Sequence, residues 1–492
     1  MKIHRRSLAS LGGCALALAA CFGGHREPKA PGIAIWIGPG ARDLDVAALG
    51  RLADQGVTEY FVESARLEWD GARPRLVALH APRAARQERT TLVVTGAWPA
   101  ADIDAAAAAS ALATQLDGLR LAAEREGRLP VGVHLDLNAT GAWEGYGRAL
   151  EKLRSALDDR LYLSASIALA DLASPGLEKR IEALDFVVGF LYGQRPGEVE
   201  RPEAWDLQDV ESATGRLDAL GRPYYLGAVT IGTASWRDRG GAVSGTTSAL
   251  DLGALVREGR LELKRGFSLE GIDRQVYEFR ARSPLVVGAW ALSTGDSVRV
   301  VRAATSNVEE LLRRCGAWSA RRLLGQVFWR LPAADERMSL TAANLADALA
   351  PAPSTPALDL LVERIAAGRD QWQLRLTLTD ANDESTDLGF YDANYVELGV
   401  EHARIADVEP GDFSRFELYS HGEGGTMRAL READTLRLFA PIVEGRQRLA
   451  SGPIVLLLTG PEAVVRTSGR FLRTDGELSI LEPREWTFGR AR

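Results

Sequence analysis

Cysteine and histidine are scarce in this chain. Three cysteines (Cys14, Cys21, Cys315) and six histidines (His4, His25, His80, His134, His402, His421) are scattered over 492 residues. There is no paired-histidine helix spacing and no cysteine partner for a histidine, so no metal site is expected. No G-x-S-x-G elbow and no phosphate loop occurs, and Gly38-Pro-Gly40 lacks the third glycine of a dinucleotide fingerprint. Serine-hydrolase and nucleotide readings fall away, and no cofactor is expected. A basic excess is missing too: 59 basic residues face 66 acidic ones, for a net charge of −7. That balance excludes a phosphate-backbone binder, so no nucleic-acid partner is assigned. With 46% hydrophobic and 25% charged residues, the composition is that of a folded protein long enough for two or three domains.

The N-terminus has a secretory layout, with Lys2, Arg5 and Arg6 followed by small and apolar residues from Leu8 to Ala20. This stretch falls short of the roughly 20 residues that span a bilayer, so residues 1–20 are expected to be a removed signal peptide. The segment Leu18-Ala19-Ala20-Cys21 resembles the lipobox of bacterial lipoproteins. That resemblance implies acylation of Cys21, a tether over residues 21–31, and a cell-envelope protein held to the membrane by lipid alone. Phe22, where such lipoproteins carry Asp when retained, implies the outer membrane, facing the periplasm; Arg5-Arg6 leaves the export route open. Cys315 is then the one free thiol, no intrachain disulfide is possible, and its place after Leu311 and Leu312 reads as a packed small hydrophobe.

Eight short apolar runs of strand type follow the tether. They are Gly32 to Trp36, Glu59 to Val62, Leu92 to Thr95, Val131 to Leu135, Leu161 to Ala165, Phe186 to Phe190, Tyr224 to Val229 and Gln326 to Trp329. Helical spacing fills most of the gaps, over Leu44 to Gln55, Asp102 to Glu126, Trp143 to Leu157, Leu177 to Leu184 and Ala204 to Leu220. Alternating strands and helices imply parallel strands, and eight units predict an α/β fold of the (β/α)8 barrel type over residues 32–349. Strand patterns at Val276 to Phe279, Leu285 to Val287 and Ser297 to Val300 predict a β-hairpin insertion at about 260–305, before the last strand. Three prolines between Ala350 and Pro356 mark a linker over 350–357. Beyond it, Leu374, Leu376 and Leu378 alternate with polar residues, as do Val396, Leu398 and Val400, which predicts a β-sandwich over residues 358–492. The acidic loop Asp380 to Asp387 lacks the central Gly and terminal Glu of a calcium loop and reads as a solvated turn.

The chemistry concentrates in the fourth run, His134-Leu135-Asp136-Leu137-Asn138. On one strand His134, Asp136 and Asn138 share a face, and in a barrel that face points inward. Burying such groups unpaired costs roughly 1 to 3 kcal/mol each, so they are expected near the C-terminal mouth, where this fold keeps its sites.

In family-eighteen glycoside hydrolases, the chitinase-like barrels, the fourth strand reads D-x-D-x-E and ends in the catalytic acid, the sixth carries M-x-Y-D, and the eighth reads roughly G-V-x-x-W. With Asp185 to Gly193 at the sixth run and Gly325-Gln-Val-Phe-Trp329 at the eighth, this chain resembles that family over approximately residues 30 to 350. Val131 to Leu169 and Gly325 to Leu340 also resemble a bacterial family of exported proteins that carry a domain of unknown function. The resemblance implies a polysaccharide or peptidoglycan-type glycan as partner. Its three acidic places fall on His134, Asp136 and Asn138, so an amide stands where the proton donor belongs, and Gly193 replaces the Asp after the aromatic.

Trp36, Trp98, Tyr192, Trp236 and Trp329 lie at or just past strand ends, where their rings suit stacking on sugar faces. The expected reading is glycan binding without the usual acid, through those five rings with Asp136, Asn138 and His134. The enzyme alternative is a glycoside hydrolase using Asp136 with another rim carboxylate, such as Glu63, Glu144 or Asp171. A third alternative is a non-enzymatic scaffold whose β-sandwich docks an envelope protein that the sequence does not identify.

Overall fold

All eight apolar runs are strands: β1 (Gly32–Ile37), β2 (Val57–Asp70), β3 (Arg89–Ala97), β4 (Leu129–Asn138), β5 (Tyr162–Ala168), β6 (Phe186–Phe190), β7 (Tyr224–Val229) and β8 (Leu323–Leu331). The computed structural model describes residues 32–489 apart from 42–45, 80–88, 100–102, 140, 191–206, 265–275, 303–304, 318–319, 334–335, 351–354, 383, 389–392, 423–424, 430–432 and 475. Cys21, the leader and tether, and Tyr192 therefore lie outside the described residues.

The strands pair in parallel in chain order, and β1 pairs with both β2 and β8, which closes the ring. The predicted eight-stranded barrel is present. A further strand, Arg73–Ala78, folds back antiparallel on the long end of β2. Helices Val46–Asp54, Ala105–Arg125, Trp143–Ala156, Leu207–Ala219 and Thr305–Ala317 lie between the strands in sequence. The alanine-rich helix starts where Asp104 accepts hydrogen bonds from the backbone of Ala106 and Ala107, a cap that contributes about 1 kcal/mol.

Side chains alternate between two cores, as strand periodicity dictates. Those facing the helices, such as Ile35, Val62, Val94, Leu135 and Ile167, pack with Leu112, Leu116, Leu150 and Leu153. Cys315 is buried in this outer core, and burial pushes its thiol up to about 11, in keeping with a packed hydrophobe. The inward set holds Ala34, Trp36, Phe61, Val93, Phe186, Val188, Phe190 and Val327. Gly227 faces inward as well, and a Cβ there would lie 2.3 Å from the Phe190 ring.

The insertion is larger than a hairpin. The hairpin Leu285–Val287 with Trp290–Leu292 is accompanied by a five-stranded antiparallel sheet in the order Val243–Thr247, Thr233–Arg237, Ser297–Val301, Val276–Ala281, Leu261–Leu263. It starts soon after β7, with the strand Thr233–Arg237, and the Thr230 hydroxyl between them donates to the Arg330 carbonyl at 2.7 Å.

From Leu358 onward the chain forms two antiparallel sheets around a common apolar core that includes Leu374, Leu376, Leu398, Leu436 and Val465. The acidic segment before the second sheet is not a solvated turn. Asp380, Glu384, Thr386, Asp387 and Leu388 are all buried. Glu384 accepts from Thr305 Oγ1 at 3.1 Å and from Asn344 Nδ2 at 3.4 Å, and Asp387 accepts from the Tyr277 hydroxyl. Leu388 joins the core of the insertion. The acids thus join the C-terminal part to the barrel helices and the insertion. No group of three or more His, Cys, Asp or Glu side chains with metal-binding geometry occurs among the described residues.

Candidate active site

The barrel interior is polar along one wall and aromatic along the other. At its N-terminal end Glu59 is buried and accepts from the Thr91 hydroxyl. Phe61 fills the centre, its ring 5.2 Å from the imidazole of His134, 5.9 Å from Trp36 and 6.5 Å from Phe186. His134 is fully buried, with Trp36 edge-on at 5.4 Å. Its two nitrogens meet two serines of the neighbouring strand: Nδ1 lies 2.9 Å from Ser164 Oγ and Nε2 lies 2.8 Å from Ser166 Oγ. Burial lowers its pKa to about 3, so the imidazole is neutral under physiological conditions.

One turn of the pleat further along β4, Asp136 is partly exposed. Ser166 makes a side-chain hydrogen bond to it. Burial is the main cause that raises its pKa to about 6; the Ser166 bond pulls it down and the charge of Glu63 pushes it up. Glu63 on β2 is partly exposed as well and accepts from Trp36 Nε1 at 2.9 Å. Burial also raises the Glu63 pKa, offset in part by the Trp36 bond and by the charges of Arg330 and Arg66.

The mouth is completed from β8. Trp329 is partly exposed and packs on the inward cluster. The Arg330 guanidinium lies 5.6 Å from the centre of that indole and is held by Glu336 in a bidentate pair at 2.7 and 2.9 Å. Gly38 leaves room for it, since a Cβ there would meet Arg330 Cδ at 2.9 Å. The Trp329–Arg330 peptide is cis.

The sequence-predicted residues therefore separate. Asp136, Glu63 and Trp329 come together at the C-terminal mouth. Asn138, exposed at the end of β4, belongs to the rim, and its carbonyl accepts from the backbone of Trp98 at 2.9 Å. His134 and Trp36 lie beneath, too deep to offer a face to a sugar; they support the carboxylates instead. Trp98 is a correction: it turns outward into the helix-facing core, its ring 5.1 Å from Trp69 and 5.3 Å from Tyr146. Trp236 is another, since it sits on the insertion sheet with Trp290 at 6.4 Å. Glu144 pairs with Arg180 on the outside, and Asp171 is buried just past β5. Sequence reading missed Ser164, Ser166 and Arg330. The two serines were readable from the alternation Leu163-Ser-Ala-Ser-Ile167, which turns both inward with His134.

A closed ring of eight parallel strands with two carboxylates at the C-terminal mouth defines a TIM-type (β/α)8 barrel. No protein-family profile and no curated protein matches the chain. Among solved structures, a chitinase from Chromobacterium violaceum is similar at 16% identity, covering 65% of this chain and 98% of its own, with a TM-score of 0.42. The spore cortex-lytic enzyme SleL of Bacillus cereus is similar at 15% identity, over 66% of this chain and 74% of its own, with a TM-score of 0.42. A chitinase from Bacteroides thetaiotaomicron gives 10% identity, 61% and 89% coverage, and a TM-score of 0.36.

Proposed function

We propose that the barrel mouth binds a glycan, a polysaccharide or peptidoglycan-type chain, against the ring of Trp329 and the carboxylates of Asp136 and Glu63. The observation that carries this reading is the placement of two partly exposed carboxylates, close enough for the charge of one to act on the other, and one partly exposed indole at the same C-terminal end of the barrel strands, above a centre packed with buried side chains. An indole supplies an apolar face for a sugar ring, and carboxylates accept from its hydroxyls.

A second reading, hydrolysis of the glycosidic bond, is favoured by the coupling of the two acids. Like charges at close quarters resist joint ionisation, and burial with the charge of Glu63 raises Asp136 to about 6, so the pair is driven toward one protonated and one charged carboxyl as pH falls toward that value. Acid-base chemistry needs such a division, and Asn138 cannot supply the proton. Any cleavage then runs through Asp136 and Glu63.

Protein lacking the first 21 residues, tested on a glycan array and for reducing-sugar release, separates these readings. Binding without release supports the first; release that is lost in Asp136→Ala supports the second. Silence in both assays overturns both and favours a scaffold. The lipid anchor at Cys21, and with it the outer-membrane location, is also a proposal and rests on Leu18 to Cys21. Incorporation of a fatty-acid analogue is expected in the full chain and absent in Cys21→Ser; labelling that persists in that variant removes the anchor.

A further inference from the structure

Ser164, His134, Ser166 and Asp136 form a single hydrogen-bonded chain from the barrel core to its mouth. The chain has two ways of being fully satisfied, and they run in opposite directions. With Asp136 ionised, its carboxylate only accepts, so the Ser166 hydroxyl donates to it. The Ser166 oxygen then presents lone pairs to the imidazole, which requires the ring proton on Nε2. The bare Nδ1 accepts from the Ser164 hydroxyl.

With Asp136 protonated, every bond reverses. Its carboxyl O–H donates to Ser166, whose own hydroxyl turns to Nε2, and the ring proton sits on Nδ1 and donates to Ser164. The Ser164 hydroxyl then has an acceptor waiting, the backbone carbonyl of Val133 at 3.4 Å. The change takes up one proton, on the Asp136 carboxylate; the imidazole keeps a single N–H and only exchanges the nitrogen that bears it.

We propose that His134 is a positioning residue whose tautomer is coupled to the protonation of Asp136, with the Nε2–H form present when Asp136 is charged and the Nδ1–H form when it is neutral. In the mixed arrangements one group goes unserved. With Asp136 charged and the ring proton on Nδ1, the single Ser166 hydrogen cannot reach both Nε2 and the carboxylate. With Asp136 neutral and the ring proton on Nε2, the Ser166 oxygen accepts from both neighbours and its own hydroxyl has no acceptor in the chain. Each comes at the cost of an unmade buried hydrogen bond. The surroundings supply no competing charge to the ring. Trp36 and Phe61 pack on it, and burial is the cause of its depressed basicity. At the other end Asp136 senses Glu63 from β2, and burial, with the charge of Asp136 behind it, raises the Tyr146 hydroxyl of the following helix; Arg330 and Arg66 act on Glu63. The proton that drives the chain is thus the one bound at the mouth. A neutral histidine transmits that state inward without becoming charged.

The coupling rests on the barrel interior and not on the glycan reading, so a negative glycan screen leaves it standing. The test is nitrogen NMR of the full chain labelled at histidine, with the His134 signals assigned by their loss in His134→Gln. In the unsubstituted protein the Nε2–H pattern is expected at pH 8, giving way to the Nδ1–H pattern at low pH. The midpoint is expected to coincide with that of the Asp136 carboxyl carbon. In Asp136→Asn, whose amide can donate to Ser166 or accept from it but does not titrate, the tautomer pattern is expected to stay the same at every pH. One tautomer at all pH values in the unsubstituted protein overturns the proposal. So does an imidazolium signal above pH 5, or a midpoint that departs from that of Asp136. The pH series itself is read on the unsubstituted protein, and His134→Gln serves only to assign its signals.

Discussion

Trp36 and Glu63 form a buried support for the mouth: the indole is sealed in the barrel, yet its Nε1 reaches across from β1 to donate to the Glu63 carboxylate at 2.9 Å. A ring expected to stack on a ligand instead fixes an acid. Trp36→Phe keeps an aromatic ring and removes the donor. A hydrogen bond to a charged group contributes about 1.5 to 3 kcal/mol, so chemical denaturation should show a loss of that order. Carboxyl carbon NMR should show Glu63 titrating at higher pH than before. An unchanged Glu63 midpoint in a folded variant would remove this role.

Asp136 sets the pH dependence of whatever the mouth does. A function that needs its charged form is nearly complete above about pH 7 and is half lost at about 6, the value to which burial raises its carboxyl. Binding or release, followed from pH 4 to 8, should decline tenfold for each pH unit below that point. In Glu63→Gln the repulsion is gone and the acid limb should move to lower pH. A limb that stays in place shows that the two carboxyls do not communicate.

Arg330 holds the ring that lines the rim. Its guanidinium is fixed by Glu336 and lies over Trp329, and both partners of the ion pair are largely buried. Glu336→Ala leaves a partly buried cation without its carboxylate, with an expected destabilisation of about 3 kcal/mol, the lower end for breaking a buried pair. Glycan affinity should fall with it, because Trp329 loses its cover. The double change Arg330→Met with Glu336→Leu is expected to recover stability and not affinity; denaturation curves and binding isotherms on the same samples check the split.

Gly227 is needed for its lack of a side chain. Gly227→Ala places a methyl carbon 2.3 Å from the Phe190 ring, which must shift within the packed interior. Overpacking of this kind costs about 1 to 3 kcal/mol. The melting temperature should drop while the Cys315 thiol, on the far side of the wall, stays unreactive toward a thiol reagent. A variant as stable as the parent would mean that Phe190 has room to move.

Glu384 gives the joint between the C-terminal part and the barrel its own pH dependence. Burial raises its carboxyl from 4.5 to about 7, more than Thr305, Asn344 and the Arg302 charge lower it, and Asp347 adds repulsion. The folded state therefore binds the proton more tightly than the unfolded chain. This contribution to stability is full below pH 4.5 and is lost as pH rises to 7, a change on the order of 3 kcal/mol. Glu384→Gln should melt higher than the parent at pH 8 and close to it at pH 5. Equal melting temperatures at pH 8 would contradict the raised affinity.

Much of the fold was readable because barrel strands are buried on both faces and stand out as short apolar runs, each followed by helical spacing. The fourth strand also gave up its site, since alternation alone put His134, Asp136 and Asn138 on one face. Depth along the strand was not readable. A single residue separates sealed His134 from partly exposed Asp136, and that difference is set by strand tilt and by neighbours such as Phe61 and Trp36 that are distant in sequence. The side on which a ring falls past a strand end was equally hidden: Trp98 follows β3 into the outer core, and Trp236 is carried off on the strand Thr233–Arg237 of the insertion sheet. The acidic segment misled for a related reason. Polar residues signal solvent only when no partner meets them, and here Tyr277, Thr305 and Asn344 do.

The buried acidic segment bears on any attempt to express the barrel by itself. Cutting the chain in the proline-rich stretch near 355 would take Leu388 and Ile442 out of the insertion's apolar centre and strip Tyr277 of its Asp387 acceptor. A fragment ending there would carry a raw greasy wound where the missing half had been seated, and insolubility of that fragment would then report on the cut and not on the barrel.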